Sequence, residues 1–305
     1  MDRESNDTFV TIDALLPREM AARAERIGGE KTRLDTQSLL TLAVLAGAFI
    51  AFGAMLSTIA AVGADGVLPH GLTRLLSGLV FSLGLILVVV GGAELFTGNN
   101  LMVMAWASAK VTFRDLLRAW APVYVGNFAG AAATAVLIFL TGLHENGGGT
   151  VGVTALMVAQ GKAALPFTEA LVRGVLGNVL VCLAVWMCYS ARTTADRILV
   201  IVPPVSAFVA AGFEHSVANM YLLPFGLLIK DFAPSSFWLS IDQGPAVFDS
   251  LTWIALVKNL ASVTIGNVIG GGVLGCGLIA WPSEGPRRGT WRRGSCGPTC
   301  RSGWR

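Results

Sequence analysis

Six apolar runs, at 39–62, 75–93, 119–143, 171–189, 198–213 and 254–281, take up much of this chain and limit what it can become. A helix of about 20 apolar residues crosses the hydrocarbon core of a bilayer, and inside that core each backbone amide must be paired within the protein. Runs of this length predict six transmembrane helices and therefore an all-α membrane protein. Composition agrees: only 13% of residues are charged and 54% are hydrophobic, against roughly 25% charged in a soluble domain. A soluble fold would lack the polar surface to cover itself.

The segments between the runs suggest sidedness and domain limits. Residues 1–35 form an N-terminal segment in which Leu16, Met20, Ala24 and Ile27 recur at spacings of three and four, the mark of an amphipathic helix. Thr11 or Asp13 is expected to cap it, Pro17 to open its regular part and Gly28-Gly29 to end it. No early apolar stretch resembles a cleavable signal peptide. Of the 22 Lys and Arg residues, 17 lie in 1–36, 109–118, 191–198 and 281–305, which fall on one side of a six-span chain. That bias predicts both termini in the cytoplasm.

The channel domain would then run over 36–281. Residues 282–305, rich in Gly, Arg and Trp, have no period and are expected to form a disordered cytoplasmic tail, with Trp291 and Trp304 placed to meet anionic lipid. A net charge of +3 gives no reason to expect nucleic acid as a partner. The five cysteines are an odd number. Cys182, Cys188 and Cys276 read as packing residues within runs, whereas Cys296 and Cys300 lack two further ligands for a metal. No metal or cofactor is expected.

The second run ends unusually, in GGAELFTGNN over 91–100. A carboxylate, a hydroxyl and three glycines at the end of a membrane span suit a helix that breaks, loops and resumes, which is tolerated only where protein or water pairs the freed backbone. The device recurs. Glu94 and Asn99 stand five apart, as do Glu214 and Asn219, the latter followed by Pro224 and Gly226. Further along each half, Gly126-Asn127-Phe128-Ala129-Gly130 is echoed by Gly266-Asn267-Val268-Ile269-Gly270. Two halves of three spans, each with a broken middle segment, would insert with opposite orientation as inverted repeats.

These residues, with the Lys162 region, RGVLGNVLVCLAVWM, GFEHSVANMY and the final IGNVIGG, resemble the formate/nitrite transporter family from the N-terminal helix to about residue 281. The resemblance implies an aquaporin-like fold of three plus three spans with the second and fifth broken. It also implies a homopentamer with one pore per protomer in a bacterial cytoplasmic (inner) membrane, carrying formate, nitrite or hydrosulfide. No Asn-Pro-Ala occurs, which argues against an orthodox aquaporin. By the same resemblance Phe81 and Phe208 match an outer constriction, and Leu85, Leu95 and Phe96 an inner one. Thr97 and His215 match a polar pair between them, supported by Lys162, Asn178 and Glu214.

The chemistry of these groups fits such a role. Imidazole donates a hydrogen bond and exchanges a proton near neutrality, and a threonine hydroxyl both donates and accepts. Desolvation favours neutral species, so a weak-acid anion would cross a dry ring as its acid, whereas a hydrated alkali ion would be rejected. Lys162 would draw the anion inward and thereby favour its protonation. Glu214, and Glu94 in the other half, would repel an anion if free, so both are expected to be bonded to backbone amides at the breaks. Gly98, Asn99, Asn219, Asn127, Asn178 and Asn267 are expected to support the interruptions.

Each residue also has a plainer reading: a structural histidine, a solvated lysine, and leucines and phenylalanines that face lipid or core. An enzyme would need a convergent nucleophile or metal set, and neither HExxH nor a cysteine cluster is present. A neutral-solute pore and a receptor or scaffold without transport remain as alternatives. Nothing in the pore residues chooses among formate, nitrite and hydrosulfide.

Overall fold

The computed structural model describes residues 14–64 and 66–280. Thr11, Asp13, Cys296, Cys300 and the tail expected over 282–305 lie outside the described residues.

The described chain is helical throughout: α1 (Pro17–Lys31), α2 (Thr36–Ala61), α3 (His70–Gly91), α4 (Phe96–Asn99), α5 (Val103–Ala107), α6 (Phe113–Leu140), α7 (Thr150–Ala163), α8 (Phe167–Ser190), α9 (Thr194–Ala210), α10 (Ser216–Phe232), α11 (Ser235–Ser240) and α12 (Trp253–Ala280). Local chemistry sets many of the ends. Asp35 accepts the Ser38 N–H at the start of α2. Thr112 with Asp115, and Thr193 with Asp196, close reciprocal capping boxes on α6 and α9, which satisfies N–H groups that a first turn leaves unpaired.

Five helical segments are long and apolar enough to cross a membrane: Thr36–Ala61, His70–Gly91, Phe113–Leu140, Phe167–Ser190 and Pro245–Ile279. Large apolar side chains stand exposed along them, among them Leu40, Val44, Leu137, Leu140, Ile269 and Val273. In water such surfaces would drive aggregation; against lipid they are solvated. The fold is an all-α, multi-pass membrane fold.

The structure corrects several expectations. Among the described residues five helices, not six, meet the length of a span, because the run at 198–213 ends with α9 and the chain resumes as α10 after a break, each piece being 17 residues. Helix α1 does not stop at Gly28-Gly29 but runs through to Lys31. Gly28 is buried against Met102 and Ala105, where a side chain would crowd both, so packing overrides its weak helix propensity. Lys162 lies in the last turn of the 14-residue α7. Between α10 and α12 the chain forms α11 and a 3-10 turn, Pro245–Phe248.

One pair of long helices, running in the same direction, frames each half: α2 packs along α6, and α8 along α12. Their approach is set by backbone contact. A Cβ at Gly130 would collide with the Val44 carbonyl, and one at Gly270 with the Val175 carbonyl; small residues at such crossings let membrane helices approach closely. Helices α3 and α9 meet each other between these pairs, and α10, buried on most of its surface, is held by α2, α6 and α7.

Candidate functional site

Helix α3 ends where Gly92 takes a left-handed conformation, φ 72°, which glycine adopts at no steric cost. The chain is extended at Leu95 and helical again from Phe96. The second interruption is built the same way: Gly212 has φ 71°, and His215 is extended before α10 begins at Ser216.

One asparagine holds each break. Asn127 on α6 donates to the carbonyls of Ala43 (2.8 Å) and Glu94 (2.9 Å) and accepts the Phe96 N–H (2.9 Å). Asn267 on α12 donates to Gly174 O (2.8 Å) and Glu214 O (3.0 Å) and accepts the Ser216 N–H (2.9 Å). Glu94 N–H donates to Leu42 O and Glu214 N–H to Arg173 O, both at 3.2 Å. Glu94, Phe96, Glu214 and Ser216 supply backbone groups that the breaks release, and an unpaired one in a buried setting costs about 1–3 kcal/mol. The two interruptions thus share one bonding scheme.

The carboxylates are paired, though not with backbone amides as their sequence setting suggested. Glu214 accepts from Lys162 Nζ (2.8 Å) and from Asn219 Nδ2 (2.6 Å). Glu94 accepts from Lys31 Nζ (2.9 Å) and Asn99 Nδ2 (2.7 Å), and Lys31 also donates to Asn99 Oδ1 (2.7 Å). Both carboxylates are buried, and a buried charge is retained where it is paired and hydrogen-bonded. Asn259 extends the second network by accepting from Asn219 (2.7 Å) and donating to the Lys162 carbonyl (2.9 Å).

Lys31 and Asn259 are absent from the sequence-based set. Lys31 had a readable signal: it stands five residues before α2, as Lys162 stands five before α8. The expected helix end at Gly28-Gly29 hid it.

Between the breaks, Thr97 Oγ1 lies 2.8 Å from His215 Nε2, and both residues are buried. The Ala218 N–H donates to His215 Nδ1 at 3.1 Å. A backbone N–H can only donate, so Nδ1 keeps its lone pair and the neutral ring carries its hydrogen on Nε2. His215 is thereby the donor and Thr97 Oγ1 the acceptor, leaving the threonine hydroxyl hydrogen free for a third group.

Phe81 and Phe208 meet edge to face with ring centroids 5.4 Å apart, and Phe208 lies 6.0 Å from the His215 ring. These residues line one cavity, of about 90 Å³, together with Lys162 and Arg74. A second cavity, of about 260 Å³, is lined by Leu85, Leu95, Gly98, Asn99, Glu94 and Lys31 among others.

Phe96 is placed differently: it stacks edge-on against Tyr124 and Trp120 of α6, at 5.0 and 6.1 Å between centroids, and is not among the residues that line either cavity. Asn178 bonds to Asn100 Oδ1 (2.8 Å) and Asn267 O (2.6 Å), tying the chain beyond the first break to α12. Among the described residues no three His, Cys, Asp or Glu side chains gather as a metal site.

Comparison with known proteins gives a consistent result. Residues 18–281 match the family model described as formate/nitrite transporter. The chain is 44% identical over 270 residues to the formate channel FocA of Escherichia coli K12, covering 88% of this chain and 94% of that one. It is 38% identical over 261 residues to the FocA of Haemophilus influenzae, covering 85% and 92%. Among solved structures, a pentameric formate channel with formate bound superposes with a TM-score of 0.77 at 40% identity, over 81% of this chain and 96% of that one.

Proposed function

The chain belongs to the formate/nitrite transporter family, and on that premise we propose that it is a membrane channel or proton-linked transporter for formate. The observation that carries this reading is the Thr97–His215 contact at 2.8 Å between two helix breaks, with one cavity lined by His215 and another by Leu95 and Gly98 of the loop that holds Thr97. Its place is the bacterial cytoplasmic membrane, with both termini on the cytoplasmic side, as the Lys and Arg bias supports. It assembles as a homopentamer with one pore per protomer, by likeness to the pentameric relative.

The same geometry supports a finer reading of the architecture. Counting α9 with α10 as one interrupted span gives six, in two halves of three, and the shared bonding of Asn127 and Asn267 supports an inverted repeat. The cavity with Lys162, Phe81 and Phe208 is the outer vestibule. The cavity with Lys31, Leu85 and Leu95 is the inner one.

Transit rests on desolvation. A carboxylate leaving water for a dry passage pays far more than its neutral acid. Lys162 raises the local concentration of the anion, and Glu214 holds that lysine in place. At the waist the substrate oxygen accepts the hydrogen bond that Thr97 has free, while His215 fixes the Thr97 rotor through Nε2–H. Proton and anion cross together as formic acid and separate again in the far vestibule. Protonation of His215 at Nδ1 would cost its bond to Ala218, so the ring serves at rest as a neutral donor.

The test is flux into proteoliposomes with formate, nitrite and hydrosulfide in competition across pH 5 to 8. Formate uptake that rises as the outside is acidified is expected. Flux of all three ions no greater than in empty vesicles would overturn the proposal, and osmotic swelling with glycerol or water alone would replace it by a neutral-solute pore.

A further inference from the structure

Residues 106–118 line neither of the two cavities, yet they bring bare cations and bare aromatics together. Lys110 N–H donates to Ala105 O at 2.9 Å and Ala109 takes φ 56°, which closes α5 and turns the chain back toward α6. Trp106 of α5 and Phe113 of α6 then lie with ring centroids 5.9 Å apart. They are exposed at 43% and 54%, and the Trp106 indole N–H has no partner among the described residues. An open groove of about 380 Å³ beside them is lined by Trp106, Ala109, Lys110, Val111, Thr112 and Asp115.

The charges around the groove divide by partner. Lys110 is committed to Glu25 of α1 at 2.5 Å, and Asp115 to its capping box with Thr112. Arg114 and Arg118 are exposed and hold no hydrogen bond or ion pair among the described residues. Four apart on one helix, they face the same way, and like charges at that spacing destabilise a helix. Membrane orientation asks only for cations somewhere in this connection. It does not ask for two bare arginines one turn apart beside an exposed tryptophan.

Depth places the group among lipid headgroups. The 28 residues of α6 extend about 42 Å at about 1.5 Å per residue, against a hydrocarbon core of about 30 Å. Roughly one turn at each end therefore lies in the headgroup layer, where tryptophan is enriched. Arg114 falls in that turn, and the Arg118 side chain, tilted toward the helix N-terminus, reaches back to it. From the same end Phe113, Leu117 and Val125 continue along α6 as an exposed apolar stripe, the surface an acyl chain covers.

We infer that Arg114 and Arg118 hold the phosphate of an anionic phospholipid, with Trp106 and Phe113 at its glycerol backbone and an acyl chain along the stripe of α6. Two guanidinium forks suit a phosphate. The bound lipid fixes the depth of α6, the helix whose Asn127 holds the first break. The inference rests on the membrane fold and not on the formate reading.

Native mass spectrometry of the full-length protein, released from detergent with phosphatidylglycerol or phosphatidylcholine added, counts and ranks the bound lipid. Wild type is expected to hold one phosphatidylglycerol per protomer more tightly than any phosphatidylcholine. Arg114→Gln and Arg118→Gln should each weaken that binding about fivefold, and the double variant about 25-fold. Arg114→Lys with Arg118→Lys keeps the charge and should recover most of the affinity. Arg26→Gln, which removes an exposed cation of α1 paired with Glu30, should change nothing. Phosphatidylglycerol should also raise the thermal midpoint of wild type and leave that of the double Gln variant unmoved.

Equal affinity of wild type for the two lipids, or equal phosphatidylglycerol binding in wild type and both single Gln variants, overturns the seat. Displacement of the lipid by soluble glycerol phosphate overturns it too, because the acyl chain would then carry none of the affinity. So does loss of subunits from the assembly in the Gln variants with the lipid count per protomer unchanged, which would make this face a contact between copies of the chain. Should the double variant fail to accumulate, the two single variants decide by the same fivefold criterion.

Discussion

Replacing Asn127 by alanine should cost far more than the loss of one surface-sized side chain. Three hydrogen bonds disappear, to Ala43 O, Glu94 O and Phe96 N–H. Ala43 lies inside α2 and keeps the helix to fall back on. Phe96 N–H is the first donor of a new helix and Glu94 O belongs to the extended linker, so no turn of helix serves either. Two orphaned backbone groups at about 1–3 kcal/mol each give an expected loss of about 2–6 kcal/mol, centred near 4. Asn267→Ala removes the same set from the second break and should cost the same to within about 1 kcal/mol. Titration of the purified protein in mild detergent with a denaturing detergent, followed by circular dichroism, measures both. Losses below about 1 kcal/mol for either variant, with formate flux intact, would refute the view that these side chains hold the interruptions open.

Four further outcomes follow from the same contacts. His215→Phe should abolish the pH dependence of formate uptake in proteoliposomes while leaving any leak, and unchanged acid-stimulated uptake would remove the imidazole from the mechanism. Lys162→Met should destabilise the fold by about 3 kcal/mol by leaving Glu214 buried and unpaired, and Lys162→Met with Glu214→Gln should recover most of that in the same titration. Gly270→Ala or Gly130→Ala should lower the thermal midpoint by several degrees, since each Cβ meets a helix carbonyl with no room to shift; a silent change would mean the helices separate freely.

His144, outside the spanning segments, is buried against Phe139 and Phe237, and burial first, opposed by Glu145, lowers its pKa below the ordinary value of 6.5. The unfolded chain therefore binds a proton that the folded one refuses, so stability falls as pH drops through about 6.5 and is unaffected by this residue above it. Wild type should lose more thermal stability between pH 7.5 and 5.5 than His144→Phe does. Equal losses would remove His144 from the acid response.

The membrane class and both interruptions were legible because they are local and costly. Long apolar runs have one favourable environment, and a carboxylate with glycines at the end of such a run has few uses. The match between Glu94–Asn99 and Glu214–Asn219 reported a shared geometry, down to the asparagine that each carboxylate meets. What the sequence hid was long-range. Lys31 reaches Glu94 across 63 positions and Asn259 reaches Asn219 across 40, and no periodicity carries such distances. Phe96 likewise packs its ring against Trp120 and Tyr124, partners on α6 that the loop motif does not name. Helix α7 was not read as an element because, at 14 residues, it is too short to read as a span.

The most direct test records internal pH and formate content together in proteoliposomes given an inward formate gradient at matched pH. Acid crossing through the Thr97–His215 waist predicts that the interior acidifies as formate accumulates, faster than in empty vesicles, and that Thr97→Val with His215→Phe removes the excess. Rapid formate entry with no acidification beyond the empty-vesicle rate, or full activity in the double variant, would contradict it.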